Sequence, residues 1–106
     1  MSDQDQIPVP TIEDFKKWLS EQPETNVVGF SCLACNCPLL NYLKTLSEHF
    51  IGVAGIYYRY RRENINLEIE TERWMRKFVS RIDNFQGVGD AVSAKQALEI
   101  LNEVTA

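Results

Sequence analysis

Apolar residues recur at helical spacing in four stretches of the chain and alternate with polar ones in a fifth. Ile12, Phe15, Trp18 and Leu19 make one face of a first helix. Thr11 can cap it, and Asp14 three residues on supplies an acidic version of the capping box. Pro23 ends it, because the residue before a proline is pushed out of the helical region. Leu39, Leu40, Leu43 and Leu46 form the stripe of a second helix, predicted to open at Cys37-Pro38 and to run to about Glu48. Proline suits that start, since its missing N–H has no partner at the first helical position. Trp74, Met75, Phe78, Val79 and Ile82 give a third helix, with Thr71 as the expected cap and Arg73, Arg76, Lys77 and Arg81 toward its other side. The last helix has the clearest start: Ser93 and Gln96 form a capping box, and Val92 and Ala97 are spaced as a hydrophobic staple.

Between the second and third helices the period changes from helical to alternating. Residues 53–61 are rich in strand formers, and in 65–70 Ile65, Leu67 and Ile69 fall on one face with Asn66, Glu68 and Glu70 on the other. The short polar link Arg62-Glu63-Asn64 predicts a hairpin. In that hairpin Tyr58 and Tyr60 share a face with Ile56, while Arg59 and Arg61 meet the carboxylates of the next strand. Asn26 to Phe30 reads as a short buried extended segment, and Asn84 to Asp90 as a loop. Residues 1–10, with Pro8 and Pro10, read as a flexible tail. The expected fold is α+β: two N-terminal helices, an antiparallel β-hairpin with room for a third short strand, and two C-terminal helices, all in one domain over residues 11–106.

Composition agrees with that size of domain. The chain has 106 residues, 44% hydrophobic and 25% charged, which excludes a collagen-like, coiled-coil or wholly disordered chain. No apolar run reaches the roughly 18 residues of a membrane span. A net charge of −4 gives no overall attraction to nucleic acid. The charge is uneven: residues 57–81 hold seven Lys/Arg against four Glu, between two acidic flanks. The opening MSDQDQIPVP is acidic and polar, unlike a secretory signal, so a cytoplasmic setting with reduced thiols is expected.

Several landmarks together resemble a group of small bacterial proteins with no known activity. They are Phe15, Trp18 and Leu19; Val27-Val28-Gly29; Cys37-Pro38-Leu39 with Tyr42 and Leu43; Trp74, Phe78, Val79, Ile82 and Asp83; and the capped helix from Ser93 to Leu101. The resemblance covers most of residues 12–104 and centres on Cys37-Pro38. It implies no site residue. Where the group often has a proline before the late tryptophan, this chain has Glu72-Arg73.

Two clusters could carry chemistry. Cys32, Cys35 and Cys37 have part of the spacing of a zinc site, but the second ligand pair is missing. The single histidine, His49, would lie at the far end of the second helix, roughly 16 Å from Cys37 by the helical rise. As a thiol site, Cys37 at a helix start would be drawn toward its thiolate, with Cys32 or Cys35 to resolve it. Against both stands the ordinary reading of small buried residues at a turn into a helix. The second cluster is Tyr57, Arg59, Arg61 and Arg62, a basic and aromatic run that could meet an acidic protein or stack bases of a single strand. No catalytic triad, phosphate loop or paired-histidine motif is present. The expectation is a small non-catalytic cytoplasmic interaction or regulatory domain without a cofactor. Another protein is the expected partner, nucleic acid and membrane are disfavoured, and a homodimer is left open. The alternatives are a redox or zinc protein at the three cysteines, or weak single-strand binding at Tyr57 to Arg62.

Overall fold

A computed structural model of the chain describes residues 7–31, 36–54, 56–84 and 89–106. Among these the order is α1 (Ile12–Ser20), β1 (Val27–Phe30), α2 (Pro38–Leu46), β2 (Phe50–Ala54), β3 (Tyr57–Arg62), β4 (Ile65–Glu70), α3 (Arg73–Asp83), β5 (Ala91–Ser93) and α4 (Ala94–Val104). The fold is α+β, as expected, but its strands form two antiparallel sheets: β1 with β5, and β2, β3 and β4 in sequence order.

Locally encoded helix starts appear as the sequence predicts. Thr11 Oγ1 accepts the Asp14 N–H at 3.1 Å. Pro38 occupies the first turn of α2, and the Cys37 sulfur accepts the Leu40 N–H at 3.4 Å. Ser93 and Gln96 close the capping box in both directions, at 3.1 and 2.9 Å. Thr71 departs from expectation. The N-cap of α3 is Glu72, which makes no side-chain cap bond. Thr71 is buried, and its N–H and hydroxyl both donate to the Ile56 carbonyl, at 2.9 and 3.0 Å. Its polar groups pin the start of α3 to the β2–β3 turn.

The expected strands are corrected in three ways. Residues 53–61 do not form one strand: the chain reverses so that Ala54 pairs with Tyr57, which adds β2 and makes a three-stranded meander. Ala91 to Ser93, expected only as the approach to the last helix, pair with β1 instead. The β3–β4 link is tighter than expected. Arg62 pairs with Ile65, so only Glu63 and Asn64 make the turn, and Glu63 takes the left-handed conformation at φ 57°.

The core lies where α1, α2 and α3 bring their rings together. Phe15 is fully buried and sits 4.8 Å from Tyr42, 5.1 Å from Phe78, 6.1 Å from Trp74 and 6.2 Å from Trp18, between ring centroids. The Tyr42 hydroxyl is buried without a hydrogen-bond partner; the Thr11 backbone lies near it but outside bonding geometry. Burial therefore raises its ionisation above the ordinary tyrosine range. Of the residues expected to be a tail, Pro10 is buried and Ile7 packs against the core. Residues 1–6 lie outside the described residues.

Two sequence landmarks meet at Gly29. A Cβ there would lie 2.5 Å from the Pro38 nitrogen and 2.7 Å from the Cys37 carbonyl carbon. The Asn41 amide strengthens the same junction, donating to the Val28 carbonyl at 2.7 Å and to Asn36 Oδ1 at 3.0 Å.

Candidate interaction surface

Of the cysteine cluster, Cys32 and Cys35 lie outside the described residues. Cys37 is 6% exposed and caps α2. Burial pushes its thiol up from about 9 to about 11, against the opposing pull of the Leu40 backbone N–H. Desolvation thus outweighs the helix start, which alone would favour the thiolate. His49 follows the other end of α2, where its ring centroid is 5.5 Å from that of Tyr60. Among the described residues no group of three His, Cys, Asp or Glu could hold a metal ion.

A thiol whose folded pKa is raised leaves stability intact below the unfolded value and removes it as pH rises through the folded one. For Cys37 that window runs from about 9 to about 11. Ionising it should cost on the order of 2 kcal/mol at the upper end. Thermal melts in this range should show a fall that Cys37→Ser makes smaller, leaving the part due to buried Tyr42 and Tyr58, whose ionisation is also raised. At neutral pH, iodoacetamide and peptide mass mapping should leave Cys37 unmodified in the folded protein and label it in urea.

The second cluster lies on the meander, where the alternating pattern separates two faces. Tyr58 and Tyr60 point inward and are 5% and 3% exposed. Opposite them on β4 are Ile69 and Leu67. The outer face carries Tyr57 opposite Glu70, Arg59 opposite Glu68, and Arg61 opposite Asn66. Ile51, in the irregular stretch of β2 where the register shifts, is exposed, and with Arg59, Asn66 and Glu68 it lines a depression of about 310 Å³. Arg59 Nε lies 3.3 Å from Glu68 Oε2 with both side chains about half exposed. Such a pair contributes about 1 kcal/mol at most and sets geometry more than stability.

The predicted surface therefore divides. Tyr57, Arg59 and Arg61 share the outer face, but Arg62 pairs with Ile65 and falls on the other side. Ile56 does not join the inner tyrosines; it sits at the β2–β3 turn and is 60% exposed. Arg61 faces Asn66 where a glutamate was expected. Of the tyrosines in this run only Tyr57 offers a ring to solvent, which leaves little for base stacking.

The remaining basic residues of the 57–81 segment are on α3. Arg73, Arg76, Lys77 and Arg81 are exposed there. Arg81 Nε donates to Glu103 Oε1 at 2.7 Å, and an Arg76 guanidinium N–H donates to the Thr71 carbonyl. Sequence reasoning passed over two exposed apolar residues of the meander, Ile51 and Ile65. Ile65 belongs to a legible apolar face, but the sequence holds no sign that this end of the strand overhangs the core. Among the described residues no helix is long and apolar enough to cross a membrane. Compared with known protein families, curated proteins and solved structures, the chain matches none of them.

Proposed function

We propose that the chain is a non-catalytic interaction domain, cytoplasmic in setting, that receives a protein partner on the outer face of β2, β3 and β4. One observation carries this reading: Tyr57 and Ile51 are solvent-exposed on the same sheet face as Arg59 and Arg61. Aromatic and arginine side chains side by side are the composition that interface centres favour. A complementary partner would offer an apolar patch rimmed with carboxylates. The thiol reading of Cys32, Cys35 and Cys37 draws no support from Cys37, whose burial opposes free thiolate chemistry, and the metal reading draws none from the described residues.

A photo-reactive benzoylphenylalanine in place of Tyr57 tests the proposal in cells. The same group in place of Glu99, exposed on α4, serves as the control. The expected result is one reproducible protein adduct from position 57, lost on adding Arg61→Glu, and none from position 99. A nuclease-sensitive adduct would transfer the surface to nucleic acid. Equal labelling from both positions, or turnover of a substrate that disappears in Cys37→Ala or His49→Ala, would remove the reading.

A further inference from the structure

The two edges of the meander are built differently. β2 packs against α2, and its register with β3 is interrupted between Phe50 and Gly52. The irregularity turns an edge away from further pairing. β4 has neither. It is six residues long, its register with β3 is unbroken, and β3 is its one extensive neighbour among the described residues. It holds no proline, no lysine and no inward-pointing charge; its inner side is Ile65, Leu67 and Ile69.

Which backbone groups of β4 are unused follows from the turn. In a hairpin closed by a two-residue loop, the closing pair exchanges both hydrogen bonds, and such pairs then alternate. The closing pair is Arg62 and Ile65, so Ile65, Leu67 and Ile69 bond to β3. The Thr71 N–H to Ile56 carbonyl bond, at 2.9 Å, keeps the same parity at the far end. The N–H and C=O groups of Asn66, Glu68 and Glu70 therefore point away from β3, along an edge that no other strand among the described residues pairs with.

We propose that two copies of the chain join by antiparallel pairing of β4 with β4, centred on Leu67, to make a continuous six-stranded sheet. This register places Leu67 opposite the second copy's Leu67 and Ile65 opposite its Ile69. These are non-hydrogen-bonded pairs, in which side chains come closest. Ile65, 60% exposed in the single chain, gains an apolar neighbour. On the outer side Asn66 meets the second copy's Glu68 as a hydrogen-bonded pair, an amide facing a carboxylate. Shifting the centre to Glu68 would set that carboxylate against its own copy, and like charges directly opposite are unfavourable. The strand is thus self-complementary in this register, with Arg59 beside Glu68 in each copy to offset the acidic residues. Because β2 is blunted, the pairing closes as a two-fold dimer and does not propagate. It goes beyond the protein-binding reading and leaves the outer face open, so each can fail without the other.

Sedimentation of the full chain from micromolar to sub-millimolar concentration should rise from 12.2 kDa toward twice that mass. Amide exchange at Asn66, Glu68 and Glu70 should slow over the same range. Leu67→Lys, which sets two ammonium groups against each other, should weaken association at least about tenfold. Ile65→Lys, at an exposed position, should act in the same direction if Leu67→Lys disturbs folding. A monomer throughout, a dimer in which those three amides still exchange fast, or open-ended growth would each overturn the proposal.

Discussion

Phe15→Ala should lower the stability of the domain by about 3–5 kcal/mol, the range for removing a fully buried aromatic ring. In a domain of this size that corresponds to a fall in melting temperature of at least about 12 °C. The expectation follows from position more than from size. Among the described residues Phe15 is the only one whose ring contacts all of Trp18, Tyr42, Trp74 and Phe78, so its removal unpacks α1 from both α2 and α3. Each ring pair contributes about 0.5–1.5 kcal/mol beyond its buried area. The void would also be lined by side chains anchored on three helices, which limits collapse. Chemical denaturation followed by tryptophan fluorescence measures it, since both tryptophans border the site. A loss under about 1 kcal/mol would show that α1 is not seated on this cluster.

Gly29→Ala should cost at least about 2–3 kcal/mol, near the upper end for an added methyl group. The new Cβ would meet the Pro38 nitrogen at 2.5 Å and the Cys37 carbonyl carbon at 2.7 Å. Those are backbone atoms at the fixed start of a helix, so no rotamer change relieves the contact. Either β1 or the first turn of α2 must shift, and the Asn41 bond to the Val28 carbonyl is lost with it. Gly89→Ala is the matched comparison. Its Cβ would have open space, and the strain there comes only from φ of 80°. Its cost should be about 1 kcal/mol. Urea midpoints for the two variants should differ accordingly, and equal midpoints would contradict the close approach at Gly29.

Features encoded within one turn of the chain were legible. Thr11, Ser93 and Gln96 act on backbone groups three residues away, and Pro38 through its own ring, so spacing alone specifies them. The inward and outward alternation of β4 was also legible, because side-chain direction in a strand has a period of two. What the sequence concealed depends on distant partners. The β1–β5 pairing joins segments more than sixty positions apart through only three residues of β5, too few for any periodicity. Thr71 has the look of a helix cap, yet the Ile56 carbonyl claims its hydroxyl. Residues 53–61 are rich in strand formers, and these outweigh Ala54-Gly55, the one faint sign in the sequence of the reversal that pairs Ala54 with Tyr57. The same limit governs the candidate surface. Alternation placed Arg59 and Arg61 on the outer face, but Arg62 joins the end of β3 because the turn after it is only two residues long, and Cys37 is governed by burial that neighbouring letters do not display.

The seam between β1 and β5 also carries bonds at its end: Ser31 N–H donates to the Asp90 carbonyl and Gly89 N–H to the Ser31 carbonyl, both at 2.9 Å. During synthesis β1 leaves the ribosome long before its mate exists. At about 5–20 residues per second, it waits several seconds with its ladder groups open. Gly29 and the Asn41 amide, by seating this strand on α2, provide a holding place that needs nothing beyond residue 46. The final helix then arrives with β5 already joined to its first turn, so docking that helix and sealing the seam become one late event.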